Sequence, residues 1–514
     1  RKHTYGIAHS GSADQGKWSY FAVLNREMSG DTHYKDGDMG KNYIYYGTKY
    51  KDDSAAVRID RNFDRDRFVS FSFNYTNNWD GYPVVPRDYR YADRFFSGQV
   101  NIDSAAGKKH GPINPGFRNK WWYHGVLGDY TTSITRNLDV TWQFKKDHDL
   151  PSYVRIFRTR NDYSDAWIKN YTYPNYTPSG NVTPAQIQDW LKTYTGGFSV
   201  SSYQERSNGL DFQFGKNIGI NNILFGMTVS HDYYRRVNPS ASISRNMFTS
   251  YLQDKLKIGD NFEITPGLRY IHSDDYTVKN GGGKDISPSD SSVSHLSGML
   301  STRYKLDDTL SLYASWAQVF RAKRVTDYDA TLEPLDDEKG NVYNIGLKKK
   351  IGSRTSLDIN FSYLKMDNAI GAYSVEDAST ATGTKSYAMN ASQSKRALNI
   401  GIDHRFNENW RLGISYSYVK TRYHAKHFTT VPDGSGTSLD DLLSKQIPMN
   451  SYQFDLGYDK GKFSADFLTS IYSGNDENFF TNKRFVVSDL TLNFKITDST
   501  SVYLVGNNLW NTAW

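Results

Sequence analysis

Strict alternation of apolar and polar residues, repeated along almost the whole chain, is the feature that most limits what it can fold into. From Arg354 to Tyr363, Leu357, Ile359, Phe361 and Tyr363 fall on one side, and Ser356, Asp358, Asn360 and Ser362 on the other. The stretch from Thr309 repeats the pattern, with Leu310, Leu312, Ala314 and Trp316 against Thr309, Ser311, Tyr313 and Ser315. A period of two marks a strand with one apolar and one polar face. On this basis the chain resolves into about twenty strands, beginning near residues 4–10 and ending near 500–507.

The connections alternate as well. Short turns are predicted at 12–16, 63–66, 146–150, 216–219, 259–261, 307–308, 352–353, 407–409, 459–461 and 498–499. Nearly all contain Asp, Asn or Gly, residues that accept turn dihedrals or bond their own backbone. Between them lie long connections at 29–53, 80–133, 164–198, 237–244, 277–292, 320–338, 368–389, 424–446 and 475–484. Residues 94–103 and 120–130 have strand-like patterns, but taking 80–133 as one connection keeps the alternation intact. A soluble sandwich also alternates along its strands, yet has no reason to keep every second connection short. A transmembrane antiparallel β-barrel does, because its periplasmic turns are short and its extracellular loops long. The expected fold is therefore all-β, one barrel domain over residues 1–514.

Composition agrees. No apolar run approaches the roughly 20 residues of a membrane helix, and mean hydropathy is −0.68, as expected where half of each strand faces a polar lumen. The 39 Tyr and 11 Trp suit girdles at a lipid–water boundary. There is no Cys, which excludes disulfides and thiolate metal sites. The net charge of +7 comes from scattered Lys and Arg, as on any solvated surface. A basic exterior also suits anionic lipopolysaccharide. Nucleic acid would need a basic stripe with a recognisable module, and neither is present.

Several segments resemble the barrel of TonB-dependent outer-membrane receptors. Tyr251 to Asp254 (YLQD), followed by Ile264 to Tyr270 (ITPGLRY), resembles the family's "YLQD … TPGLRY" hairpin. Leu312 to Ala322 (LYASWAQVFRA) resembles its "LYASYGQGFRAP" strand, with Lys323 where Pro is usual. Leu332 to Pro334 and Asn344 to Leu347 resemble the segment that follows, and Val505 to Trp510 (VGNNLW) the penultimate "NVNNLFD" strand. Their order and spacing across 200–510 carry the resemblance. It implies a barrel of about 22 strands, filled by an N-terminal plug preceded by a TonB box. It also implies a ligand held by extracellular loops, energy from the TonB–ExbB–ExbD complex, a monomer in the outer membrane and no resident cofactor. Nothing in the chain matches the plug, the first strand or the last, so the expectation is a barrel portion with these absent.

The candidate site lies in the loops. Arg87, Tyr89, Arg90, Tyr91 and Arg94 share one loop with Trp121, Trp122, Tyr123 and His124. The next adds Trp167, Tyr171, Tyr173, Tyr176 and Trp190. Aromatic faces interspersed with Arg suit a large, flat, anionic ligand, and ferric siderophores are such ligands in the family. The bland alternative is that these aromatics mark the outer girdle. Haem, cobalamin, a glycan and a passive channel stay open. His424 and His427 could ligate a metal, but residues 320–338, where haem receptors of the family place a His, contain none. Gly11 to Lys17 imitates a phosphate-binding loop, yet Trp18 replaces the hydroxyl residue that binds magnesium. It is expected to be a hairpin turn. Asp274–Asp275 and Asp336–Glu338 lack the spacing of a calcium loop and are expected to be solvated charge. No catalytic arrangement is evident, and an enzyme is not expected.

Overall fold

In the computed structural model the described residues are 2–35, 42–45, 48–81, 130–145, 150–168, 198–236, 241–288, 291–323, 335–376, 384–425, 449–474, 484–497, 500–510 and 512. They contain strands and no helix. The first eight strands are β1 (Lys2–Ala13), β2 (Trp18–Ser29), β3 (Thr32–Lys35), β4 (Asn42–Tyr45), β5 (Tyr50–Asn62), β6 (Phe68–Gly81), β7 (Tyr130–Lys145) and β8 (Ser152–Ile168). Then come β9 (Phe198–Ile218), β10 (Asn221–Arg236), β11 (Ala241–Ile258), β12 (Phe262–Ser273), β13 (Thr277–Asn280), β14 (Val293–Lys305), β15 (Leu310–Arg321) and β16 (Glu338–Ile351). The last are β17 (Thr355–Glu376), β18 (Thr384–Arg405), β19 (Trp410–Ala425), β20 (Asn450–Lys460), β21 (Phe463–Ser473), β22 (Arg484–Thr497) and β23 (Thr500–Gly506).

Twenty-one strands form one antiparallel sheet, and β3 with β4 forms a separate ribbon. Within the sheet, β13 is a four-residue strand that continues the pairing of β11 beyond the end of β12. The remainder are the twenty long strands that the alternation predicts. Strands β6 and β7 pair directly, from Phe68↔Gln143 to Gly81↔Tyr130. The chain between them is thus one connection, as the short–long pattern requires. Among the described residues β1 pairs only with β2 and β23 only with β22, so the sheet has two free edges.

Several predicted loops are shorter than expected. Strand β11 begins at Ala241, β13 occupies part of 277–292, and β17 and β18 extend to Glu376 and back from Thr384. A strand crosses a bilayer in roughly 9–11 residues, whereas β9 has 21 and β17 and β18 have 22 each. The excess projects above the apolar zone, where both faces meet water and the period-two signal disappears. Two turns also fall later than predicted, at 219–220 for 216–219 and at 461–462 for 459–461.

Burial is inverted relative to a soluble protein. Only eight described hydrophobic side chains are buried, so no central apolar core exists. Instead Ile7, Leu24, Ile156, Leu252, Leu268, Leu296 and Ile345, each 49–68% exposed, line one face of the sheet. The other face carries polar clusters, such as Glu27 with Lys2 at 2.8 Å and the Tyr50 hydroxyl at 2.5 Å, or Arg155 paired with Asp139. Exposed apolar area on this scale marks a surface meant for a partner, here lipid.

The short turns use two devices. At Gly219, Gly259, Gly352 and Gly461, φ lies between 59° and 63°, a left-handed region that glycine enters without steric cost. At three others a side chain bonds the backbone ahead of it, as Asp64 does to the amides of Asp66 and Arg67. Asp307 accepts from the amides of Thr309 and Leu310 at 2.7 and 2.8 Å, and Asn407 accepts from those of Asn409 and Trp410. The Gly11–Lys17 segment is the β1–β2 hairpin, with Asp14, Gln15 and Gly16 all at positive φ. It is a turn, not a phosphate loop.

Candidate functional site

The loop residues singled out from sequence, Arg87, Tyr89, Arg90, Tyr91, Arg94, Trp121, Trp122, Tyr123, His124, Tyr171, Tyr173, Tyr176 and Trp190, lie outside the described residues, as does His427. Trp167 falls at the upper end of β8. His424 is exposed on β19 opposite Ser392.

Among the described residues the upper polar face of β7–β11 forms a recess of about 730 Å³. Its wall is aromatic. Tyr163 and Tyr203 stand opposite each other on β8 and β9 and stack with centroids 4.7 Å apart. Tyr203 in turn meets Tyr234 of β10 at 5.7 Å. Beside them Arg245 of β11 donates to the Tyr276 hydroxyl at 2.6 Å. Asp232 sits directly opposite Arg245 across β10–β11 and accepts from the Ser207 hydroxyl at 2.8 Å. The recess and the ladder beside it therefore offer ring faces and several hydroxyls. Arg245 faces Asp232, and Glu205 is a second carboxylate on this wall. Such a surface can stack a flat ligand and bond its rim. Sequence analysis missed it because these residues are spread over 163–276. Only the register of four strands brings them together.

The acidic pairs have structural partners. Asp275 caps the chain ahead of β14, accepting from the amides of Ser291 and Ser292 at 2.7 and 2.6 Å. Glu338 pairs with Arg321 and accepts from the Ile370 amide at 2.6 Å. Asp337 accepts from the Lys323 amide at 3.0 Å. They are loop staples rather than the freely solvated charges expected. No group of three or more His, Asp or Glu among the described residues converges to hold a metal ion.

Comparison with known proteins fits this geometry. Residues 83–509 match the family model of the TonB-dependent receptor-like β-barrel. A ferric-pyoverdine BN7/BN8 receptor from Pseudomonas putida is 22% identical over 288 residues, covering 53% of this chain and 32% of that protein. The ferripyoverdine receptor of the outer membrane of Pseudomonas aeruginosa superposes with a TM-score of 0.66 at 14% identity, over 99% of this chain and 66% of that one. The copper transporter OprC gives 0.69 at 13% identity, over 99% and 74%. The chain thus spans about a third of the curated relative's length. The apolar face is the lipid side and the polar face the lumen side of a barrel whose family comprises transport receptors rather than enzymes. This chain belongs to the TonB-dependent receptor β-barrel family.

Proposed function

We propose that the chain forms the barrel wall of an outer-membrane receptor that takes up a scarce nutrient, a ferric siderophore, with energy delivered through TonB–ExbB–ExbD. The single observation that carries this reading is the tyrosine ladder Tyr163–Tyr203–Tyr234, with Arg245, at the upper end of the lumen face. A ferric chelate presents flat, conjugated, hydrogen-bonding groups, and stacked tyrosines bind such groups with little rotamer entropy to lose. The relatives' recognition of ferric pyoverdine supports the same ligand class. Charge complementarity for an anionic chelate would come from the loop residues Arg87, Arg90 and Arg94. Trp121, Trp122, Tyr123, His124, Tyr171, Tyr173 and Tyr176 would extend the stacking surface, and Tyr89 and Tyr91 would add hydroxyls.

Tryptophan quenching of the protein expressed from its natural gene, in detergent, tests this against ferric siderophores, haem and cobalamin. One ferric chelate is expected to bind. Tyr203→Ala or Tyr234→Ala should each weaken it about three- to tenfold, the worth of one aromatic contact. Silence towards every ferric chelate would overturn the reading.

A further inference from the structure

On the opposite, lipid side of the same strands, register assembles a feature that linear spacing conceals. Tyr75, Arg136, Arg160, Arg206 and Tyr233 stand directly opposite one another, one per strand from β6 to β10. Like charges facing each other across an antiparallel pair destabilise it, and here three guanidinium groups stand side by side. On the outward positions of β6–β10, Asp162 is the single carboxylate among the described residues. It takes Arg136 at 2.6 Å, Arg160 at 2.8 Å and the Gln204 amide at 2.6 Å. Arg158 and Arg235, both exposed, add two more cations to this face.

Arg206 is the member left incomplete. Its guanidinium lies 4.2 Å from the centre of the Tyr233 ring, and its Nε is buried with no hydrogen-bond partner. A buried donor on a cation without an acceptor is costly, so the row as it stands lacks an anion.

Height identifies that anion. The tier directly below the row is still polar, with Arg158, Asn208 and His231 beside Leu138; below that the outward positions turn apolar, with Val140, Ile156, Leu210 and Val229 at 39–59% exposed. On β9 the outward positions from Leu210 to Ile218 are apolar except for Lys216 near the lower end, roughly the length that crosses a bilayer. Arg206 occupies the second outward position above it. The arginines thus lie where acyl chains give way to headgroups, facing the membrane and turned from the lumen, with tyrosines at both ends in the interfacial position.

We propose that this row docks the phosphorylated headgroup of an outer-leaflet glycolipid. Guanidinium forks bind phosphate through paired, charge-assisted N–H···O bonds. A diphosphorylated headgroup would add the counter-charge that Asp162 alone does not supply to Arg136, Arg160 and Arg206, and offer the Arg206 guanidinium an acceptor. The lipid's chains would lie on Leu138, Ile156 and Leu210. The inference depends on the barrel spanning the membrane and is independent of which nutrient it carries.

Native mass spectrometry and thermal unfolding in detergent, with diphosphorylated lipid A as the probe, test it. Wild type should retain the lipid and unfold at a higher temperature with it. Arg136→Gln/Arg160→Gln/Arg206→Gln should bind it at least tenfold more weakly, while Arg303→Gln, on the lumen face, should bind as wild type. Arg206→Gln alone, at the arginine of the row that pairs with no carboxylate among the described residues, guards against misfolding of the triple variant. Without lipid it should unfold at or above the wild-type temperature because a repulsion and an unpartnered donor are gone, and with lipid below it. Enzymatically dephosphorylated lipid A should bind weakly. Equal lipid A binding by wild type and triple variant would overturn the proposal. So would an equal upward shift from inorganic phosphate at the same concentration, which would mean an anion site without lipid specificity.

Discussion

Asn390 shows how a single side chain can fix a loop where no core exists. It is 2% exposed. Its carbonyl oxygen accepts from the Asp336 amide at 2.7 Å, and its amide donates to the carbonyls of Asp336 and Asn368 at 3.1 and 3.0 Å. Those bonds tie the approach to β16 onto β17 and β18, beside buried Leu335 and Met389. Asn390→Ala would leave three backbone groups unpaired and should cost about 1–3 kcal/mol, read as a lower urea midpoint. An unchanged midpoint would mean that water replaces the side chain. Asp307 works in the open, at a turn outside the membrane zone. The Thr309 hydroxyl, the Thr309 and Leu310 amides and nearby Lys349 hold its carboxyl below the usual range. A depressed folded value means the turn gains stability above the unfolded carboxylate pKa and loses it as pH falls through the folded one. Wild type should therefore exceed Asp307→Ala in urea midpoint at neutral pH, and the gap should narrow below about pH 4. A gap independent of pH would refute the charged-cap account.

At the scale of elements, cross-strand packing decides which small residues are replaceable. Gly226 on β10 lies beneath the Tyr251 ring of β11, and that ring's hydroxyl donates to Gln213 at 2.5 Å. A methyl at 226 would collide with the ring and should cost about 1–3 kcal/mol as overpacking. Gly401 on β18 has nothing within 4 Å of the corresponding position. Gly401→Ala should be neutral or stabilise by up to about 1 kcal/mol through the unfolded chain. Chemical denaturation of the two variants in parallel checks the contrast, and equal effects would contradict the packing. The same logic sets what was legible beforehand. Strands such as 355–363 announced themselves through alternation, and turns through Asp, Asn and Gly. The upper arms of β9, β17 and β18 did not, because above the membrane neither face must be apolar. The tyrosine ladder and the arginine row were invisible for a further reason. Arg136, Arg160 and Arg206 look scattered at linear separations of tens of residues, and only strand register makes them neighbours. The predicted loop site lies outside the described residues, so the contribution of Trp121 or Tyr171 is a matter for binding measurements.

For the whole molecule, stability comes from the two solvents it separates rather than from a core. Every strand from β6 to β22 except the short β13 pairs with two neighbours, which a bilayer demands because unpaired peptide groups there find no water. Side chains then sort by face. Ile345, 61% exposed, lies opposite Ala314 and Phe361 on the lipid side. Ser362, the next residue after Phe361, points to the lumen opposite Asn344. Were this sheet surrounded by water, both sites would be solvated and a lysine would be tolerated at either. In a membrane wall Ile345→Lys places a charge among acyl chains and should cost about 2–4 kcal/mol near the bilayer midplane, less towards an interface. Ser362→Lys leaves the charge in the polar lumen and should change stability by less than about 1 kcal/mol. Folding titrations in urea, with the protein inserted into lipid vesicles and followed by tryptophan emission, separate the two. Equal costs would place both faces in the same solvent and undo the membrane assignment of the apolar face; a large cost confined to Ile345 fixes it from this chain's own residues.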